Sequence, residues 1–335
     1  MLRTLGTLLF AGLCLTACGG DAPGTSTDNG DAPVKVVLQT DWYAQPEHGG
    51  FYQALARGYY AEEGLDVEIR PGANVSAIPQ LVASNRVQFS VGAIETMFIY
   101  RSRGIPLVSL FPYFQHDPQC VLFHPESGIK TLEDLDGREV MFNPGLVYVD
   151  FLEKAMHLDI HVLPMDWSLA RYMTDKQFVQ QCFLTNEPVI VRRKGIEPGV
   201  IPLSESGFDP YRHVYTNAKM IAEQPEVVKG FIRASLRGWD DFMHGDPAPA
   251  FELIIASNPQ QEESLMREIL AQMQAYSLTD GNTDQGETLG QYNVARLGKV
   301  LEQLQQLGLL DGPVELRDSI AFDLLPPELV VKETP

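Results

Sequence analysis

A regular alternation of β-rich and helical segments governs how this chain can fold. Val34 to Asp41 is β-rich, Gly49 to Tyr60 places apolar residues at helical spacing, and Leu65 to Ile69 begins a second strand. A strand, a helix and a strand in close succession form a βαβ unit with two parallel strands. The alternation continues to Tyr113, so this part of the chain is predicted to form an α/β domain.

A second α/β unit begins near Cys120 to Phe123. Its predicted elements include a strand at Glu139 to Phe142, a polar helix around Asp175 to Phe183 and a strand at Val200 to Leu203. From Pro225 onward the pattern is helical, and Trp239 falls in an apolar stripe typical of a helix packed on a core.

The C-terminal helices need apolar partners, and the first domain offers a sheet. We therefore expect a discontinuous first lobe, residues 34–117 and 212–335, with residues 118–211 inserted as a second lobe. Two α/β lobes joined by two crossings enclose a cleft, which is where ligands bind at the strand ends of open α/β sheets. Hinge closure around a ligand is typical of such an arrangement.

The first residues have the pattern of a bacterial lipoprotein signal. Arg3 precedes an apolar run from Leu5 to Leu15, which is too short to span a bilayer, and Leu15-Thr16-Ala17-Cys18 resembles a lipoprotein cleavage box. We expect residues 1–18 to be the signal, Cys18 to be lipidated and residues 19–33 to form a flexible tether. An exported protein held at the membrane surface by its lipid follows from this pattern.

The charge and the cysteines exclude some classes of function. A formal net charge of −19 with no basic cluster argues against a nucleic-acid partner, since phosphates must be neutralised by Lys and Arg. Cys120 and Cys182 remain in the mature chain, and two separate buried thiols are the simpler interpretation, although export would permit a disulfide. Nothing in the sequence indicates a metal site, a cofactor or an oligomer, and a monomer is expected.

Polar and aromatic residues follow the first and third strands of the predicted first lobe. Asp41, Trp42, Tyr43 and His48 lie between the first strand and its helix, and Glu95 follows the third strand. Aromatic faces beside carboxylate acceptors suit a flat heterocycle that carries N–H donors. The alternative is that Trp42 and Tyr43 pack in the core, His48 caps the helix and Glu95 is solvated.

Further candidates lie in the predicted second lobe and near the crossing. Asn143 follows a strand there, Trp167 offers another ring face, and Asn186 and Glu187 could bind the edge of a ligand from the opposite side. Tyr113 lies near the first crossing. Trp167 could equally be a core residue.

Catalysis finds little support in the sequence. The chain contains no Gly-x-Ser-x-Gly elbow, no phosphate-binding loop and no His-Glu-x-x-His helix. We expect no catalytic residues.

Several segments together resemble the solute-binding proteins that take up pyrimidine precursors of thiamine. These segments are Asp41-Trp42 through His48, Gly58-Tyr59-Tyr60, Glu62 to Glu68, Gly92, Arg103 to Pro106, Asp134 to Gly137, Pro225 to Val228 and Arg237-Gly238-Trp239. The resemblance covers nearly all of the chain after the tether. It implies a type II periplasmic-binding fold and, as partners, the permease and ATPase of an ABC importer.

The same fold includes a pyrimidine-precursor synthase that consumes one of its own histidines, and this enzyme is the main alternative. The resemblance places Thr96 at the position of that histidine, Gly92 at the position of the cofactor lysine, and only Cys182 in place of a cysteine cluster. These departures favour a binding protein for a thiamine pyrimidine precursor or a related heterocycle. A riboflavin-like ligand, an aliphatic amine and a sensor that serves no importer stay open.

Overall fold

The computed structural model describes residues 32–72 and 75–331 of the chain. The predicted signal peptide, Cys18 and nearly all of the predicted tether lie outside the described residues. None of the helices in this part combines the length and apolar character that crossing a membrane requires.

The described residues form strands and helices in alternation. The strands are β1 (Val34–Gln39), β2 (Leu65–Arg70), β3 (Phe89–Ala93), β4 (Leu107–Phe114), β5 (Gln119–Phe123), β6 (Glu139–Phe142), β7 (His161–Pro164), β8 (Gln180–Phe183), β9 (Gly199–Pro202), β10 (Arg212–Asn217), β11 (Tyr292–Asn293) and β12 (Val330–Val331). The helices are α1 (Gly49–Ala56), α2 (Tyr59–Glu62), α3 (Ile78–Ala83), α4 (Ile94–Ser102), α5 (Val147–Asp150), α6 (Ala170–Thr174), α7 (Glu187–Arg193), α8 (Ala218–Glu223), α9 (Pro225–His244), α10 (Ala248–Ser257), α11 (Glu263–Ala275), α12 (Val294–Gln306) and α13 (Leu316–Ser319).

Two five-stranded sheets organise the molecule. The first has the order β2-β1-β3-β10-β4, and the second has the order β7-β6-β8-β5-β9. In the first sheet β1 runs parallel to β2 and β3, whereas β10 runs antiparallel to β3 and β4. The chain thus leaves the first sheet after β4 and returns as β10, and the predicted α/β fold with two crossings is confirmed. The lobe boundaries themselves stay a prediction.

The predicted polar helix around Asp175 to Phe183 is wrong. Helix α6 ends at Thr174, and Gln180, Gln181 and Cys182 lie buried in strand β8. Side-chain hydrogen bonds satisfy the amide group of Gln181, which donates to Gln119 Oε1 at 2.5 Å and accepts from the Asn143 N–H at 2.7 Å. A polar sequence normally indicates an exposed surface. That rule does not hold for Gln181, because hydrogen bonds to residues distant in the sequence allow it to be buried.

Cys120 and Cys182 form a disulfide, so the expectation of two separate thiols is wrong. The two residues are register partners on the adjacent antiparallel strands β5 and β8, with their Cα atoms 4.8 Å apart. Because the two cysteines are separated by 62 residues in the sequence, their proximity could not be predicted from it.

Helices α1 and α9 pack unusually closely, and this contact fixes the loop that precedes α1. A Cβ atom on Gly238 would meet the Gly50 carbonyl oxygen at 2.3 Å, and one on Gly50 would meet the Trp239 ring at 2.2 Å. Trp239 is fully buried, as predicted, and its ring lies 5.4 Å from that of Phe51. With β1 on one side and α1 on the other, the connecting loop is held at both ends.

Candidate functional site

A cavity of about 770 Å³ lies between the two sheets. Ten residues that the sequence indicated as ligand contacts line this one cavity: Asp41, Trp42, Tyr43, His48, Glu95, Tyr113, Asn143, Trp167, Asn186 and Glu187. The structure therefore brings all of them together, from both sheets, and excludes the alternative that Trp42 and Tyr43 lie in the core. Their part in binding a ligand stays a prediction.

Two tryptophans meet across the cavity. The ring centroids of Trp42, which follows β1, and Trp167, which lies between β7 and α6, are 4.8 Å apart, and Tyr43 packs edge-on against Trp42 at 5.5 Å. Trp167 is 57% exposed and Tyr43 54%, although large aromatic side chains are usually buried. Trp167 also has a φ of 60°, which is strained for a bulky residue and is typical of binding sites.

Asp41 is the centre of a buried charged group. Its Oδ2 accepts a hydrogen bond from Nη2 of Arg212, and its Oδ1 lies 3.1 Å from His48 Nε2. Burial on its own would raise the pKa of Asp41, but Arg212 and His48 outweigh it and hold the pKa below its usual value. Both oxygens of Asp41 are therefore engaged within the protein, and His48 supports Asp41 rather than capping a helix through its side chain.

The cavity wall carries buried oxygen atoms that have no hydrogen-bond partner among the described residues. They are Glu47 Oε2, Glu95 Oε2, Gln180 Oε1 and Gln261 Oε1. Each can accept a hydrogen bond, and a buried polar atom without a partner is costly unless a ligand or water satisfies it.

Three carboxyl groups in the wall have a raised pKa. Burial raises the pKa of Glu95 to about 8, with a further contribution from Asp117, and raises the pKa of Glu187 to about 7. Burial also raises the pKa of Glu47, whose Oε1 accepts a hydrogen bond from Thr185 of the opposite half. The wall is thus acidic in composition but only partly charged near neutral pH.

The remaining predicted residues, Tyr113, Asn143 and Asn186, differ in their surroundings. Tyr113 is buried with its ring stacked 5.4 Å from Trp239, and its hydroxyl lies 3.4 Å from Arg212 Nε. Asn186 lies at the N-terminal end of α7 without a side-chain capping bond, and Asn143 stays half-buried at the end of β6. Both residues line the cavity.

Sequence reasoning missed Arg212, Glu47 and Gln180. Glu47 lies inside the Asp41 to His48 segment, so the reasoning that identified Asp41 and His48 could also have identified Glu47. Arg212 and Gln180 had no local signal, because each reaches the cavity through a strand whose place in its sheet is fixed by long-range pairing.

An ionic network joins the two crossings. His116, just after β4, lies 2.7 Å from Asp209 Oδ2 and 3.1 Å from Glu287 Oε2, and Arg296 Nη2 lies 2.9 Å from the same Asp209 oxygen. Burial would lower the pKa of His116, but hydrogen bonds to the two carboxylates raise it to about 9. His116 is therefore protonated at neutral pH.

This network predicts a pH dependence of stability. Because the folded pKa of His116 lies above its unfolded value of 6.5, its stabilisation is complete below pH 6.5 and is lost as the pH rises through about 9. We expect the stability difference between the wild type and His116→Asn to shrink by about 2 kcal/mol from pH 6 to pH 10. Urea unfolding at each pH measures it. Exposed His161→Asn serves as the control, and a difference that is independent of pH would refute the prediction.

Comparison with known proteins places the chain in a family. The sequence profile of the NMT1/THI5-like family matches residues 45–250. The riboflavin-binding protein RibY of Chloroflexus aurantiacus is 25% identical, with 96% of this chain and 97% of that protein covered. The formylaminopyrimidine-binding protein of Halalkalibacterium halodurans is 24% identical, with 94% of this chain and 97% of that protein covered.

Some relatives have another name, and solved structures share the fold. A 4-amino-5-hydroxymethyl-2-methylpyrimidine phosphate synthase of Legionella pneumophila is 25% identical over 77% of this chain and 85% of its own length. The periplasmic aliphatic sulphonate binding protein SsuA of Escherichia coli superposes with a TM-score of 0.65 at 12% identity, covering 86% of this chain and 92% of its own. The fold is that of the periplasmic binding proteins, and the chain belongs to the NMT1/THI5-like family.

Proposed function

We propose that this protein is the extracytoplasmic substrate-binding component of an ABC importer and that it binds a small aromatic nitrogen heterocycle between its two sheets. A pyrimidine precursor of thiamine is the leading candidate. The proposal treats Trp42, Tyr43 and Trp167 as the stacking surface, and the carboxyl and amide groups of the wall as the readers of ring substituents.

The observation that carries the proposal is the set of unpartnered acceptor oxygens beside exposed aromatic rings. Glu47, Glu95 and Gln180 each present a buried oxygen without a partner in the described chain, in the cavity that Trp42 and Trp167 also line. A ligand that satisfies Gln180 and the ionised forms of Glu47 and Glu95 must carry several N–H or O–H donors, and one that covers the rings must be flat. An amino-substituted heterocycle has both properties, whereas a sulfonate has acceptors only.

A larger ring system is the second candidate, and the volume of the cavity favours it. At about 770 Å³ the cavity lies in the upper part of the range of roughly 300–1,000 Å³ that is usual for small-molecule sites. A fused heterocycle would fill more of it than a single ring. The relative RibY is named for riboflavin, which has such a ring system.

The enzyme alternative has less support at this cavity. Gly92 and Thr96, which occupy the positions that the resemblance gives to the cofactor lysine and the reactive histidine, both line the cavity. Neither side chain can do that chemistry, and Cys182 is held in a disulfide. Incubation with iron and oxygen followed by protein mass measurement discriminates the two: a histidine that loses mass would favour the synthase.

The membrane anchor rests on the sequence pattern that ends at Cys18. If this pattern is used, cells supplied with labelled palmitate should incorporate the label into the wild type but not into Cys18→Ala. Labelling that persists in the variant would refute the anchor. A lipid tether would keep the binding protein close to the permease, which raises the effective concentration of the pair.

Native mass spectrometry tests the binding function directly. Protein purified from its own cells should carry a compound whose mass and fragments identify a nitrogen heterocycle, and mild unfolding should release it. A protein that carries no heterocycle and binds none of those supplied to it would overturn the proposal.

A further inference from the structure

Arg212 is the single arginine or lysine among the described residues that line the cavity. It begins strand β10, where it is the register partner of Ala93 at the end of β3. Glu95 follows two residues after Ala93, in the first turn of α4. Arg212, at the start of β10, and Glu95, just beyond the end of β3, therefore lie at the same end of the first sheet.

The guanidinium of Arg212 is held in place but not fully used. Nη2 donates to Asp41, and Nε lies 3.4 Å from the Tyr113 hydroxyl, whereas Nη1 has no hydrogen bond in the part of the chain that the structure describes. The side chain is only 10% exposed. Its Cζ also lies 5.8 Å from the ring of Phe183, so Arg212 contacts the second sheet as well.

Glu95 complements this donor with an acceptor. The residue is 3% exposed, and its Oε2 has no partner among the described residues. Arg212 and Glu95 thus offer a fixed N–H donor and an unsatisfied oxygen on the wall of one cavity, near enough for the charge of Arg212 to act on the pKa of Glu95.

We infer that Arg212 and Glu95 select the ligand by one edge, on which a hydrogen-bond acceptor lies beside an N–H donor. Arg212 donates to the acceptor, which is a ring nitrogen or a carbonyl oxygen, and Glu95, in the ionised form that the charge of Arg212 favours, receives the N–H. Aminopyrimidines and the carbonyl-flanked N–H of a flavin both carry this edge. The inference rests on the proposed function and adds the chemistry by which the site discriminates. Asp41 acts as a positioning residue that orients Arg212.

Calorimetric titration with matched probes tests the pairing. One pair is 4-amino-5-hydroxymethyl-2-methylpyrimidine and its 4-dimethylamino analogue, and the other is riboflavin and N3-methylriboflavin. Methylation removes the N–H donor, so the wild type should bind the methylated member of its preferred pair at least about tenfold more weakly. Glu95→Met should lose this discrimination, whereas Glu95→Gln, which keeps an acceptor oxygen, should retain most of it.

Arg212→Lys keeps the charge beside Asp41 but lacks the planar fork, so it should bind the unmethylated probe about tenfold more weakly. Thermal unfolding shows whether each variant is folded. If Arg212→Lys does not fold, the titrations of Glu95→Met alone test the inference. Discrimination that survives in Glu95→Met, or unchanged affinity in folded Arg212→Lys, would overturn this inference alone. A wild type that binds neither pair would overturn the proposed function together with it.

Discussion

Replacing Trp42 and Trp167 together by alanine is expected to weaken binding of the copurifying compound by roughly a hundredfold or more. Stacking of a planar base on an aromatic side chain contributes about 1–3 kcal/mol per ring, and each 1.4 kcal/mol is a factor of ten in affinity. Each single variant should lose about tenfold. Isothermal titration of the ligand-free protein measures all three values.

The exposure of Trp167 separates an effect on binding from an effect on stability. Trp167 is 57% exposed, so its removal should leave the thermal midpoint nearly unchanged. Trp239→Phe, in the buried core and not itself a residue of the cavity wall, is the matched control and should alter stability more than affinity. Equal affinity in the wild type and the double variant would remove the aromatic pair from the site.

Asp41→Ala should lower the free energy of unfolding by about 3–5 kcal/mol. The substitution leaves the Arg212 guanidinium charged and buried without its carboxylate, and a broken buried ion pair is strongly destabilising. Denaturant unfolding at pH 7 gives the value. Asp66→Ala, at an exposed position of β2, should change stability by no more than about 0.5 kcal/mol.

A double variant separates the ion pair from other effects of losing Asp41. Asp41→Ala combined with Arg212→Met removes both charges, so most of the lost stability should return. If the loss of unfolding free energy in the double variant equals the sum of the losses in the two single variants, the ion pair with Arg212 does not explain the contribution of Asp41 to stability.

The local parts of the fold could be predicted from the sequence. Val34 to Asp41 and Leu65 to Ile69 were recognisable as strands because their neighbours in the chain supply the pattern, and β1 and β2 pair in register over their whole length. The position of the loop from Asp41 to His48 at the cavity could be predicted because it connects a strand to a helix. These are properties of adjacent residues, which a single sequence records.

Long-range pairing could not be predicted in the same way. Arg212 reaches Asp41 across 171 positions because β10 enters the first sheet between β3 and β4. Nothing near Arg212 in the sequence indicates that insertion. Gln181 likewise fits a polar helix until β8 is placed beside β5, where side-chain hydrogen bonds satisfy it, and the predicted separate thiol of Cys182 proves to be paired there with Cys120.

Burial also changes the chemistry of residues that the sequence did identify. Glu95 was predicted as an acceptor, yet burial raises its pKa to about 8, so much of it is neutral near pH 7. Asp41 was predicted to read the ligand directly, whereas both of its oxygens are engaged by Arg212 and His48. Such differences depend on the surroundings of a side chain in three dimensions.

A crystal structure of the protein with the compound that copurifies with it tests the account most directly. The account predicts a flat ring against Trp42 and Trp167, with its N–H groups within hydrogen-bond distance of one or more of Glu47, Glu95 and Gln180. A compound bound outside this cavity, or one that touches neither tryptophan and none of these oxygens, would contradict it.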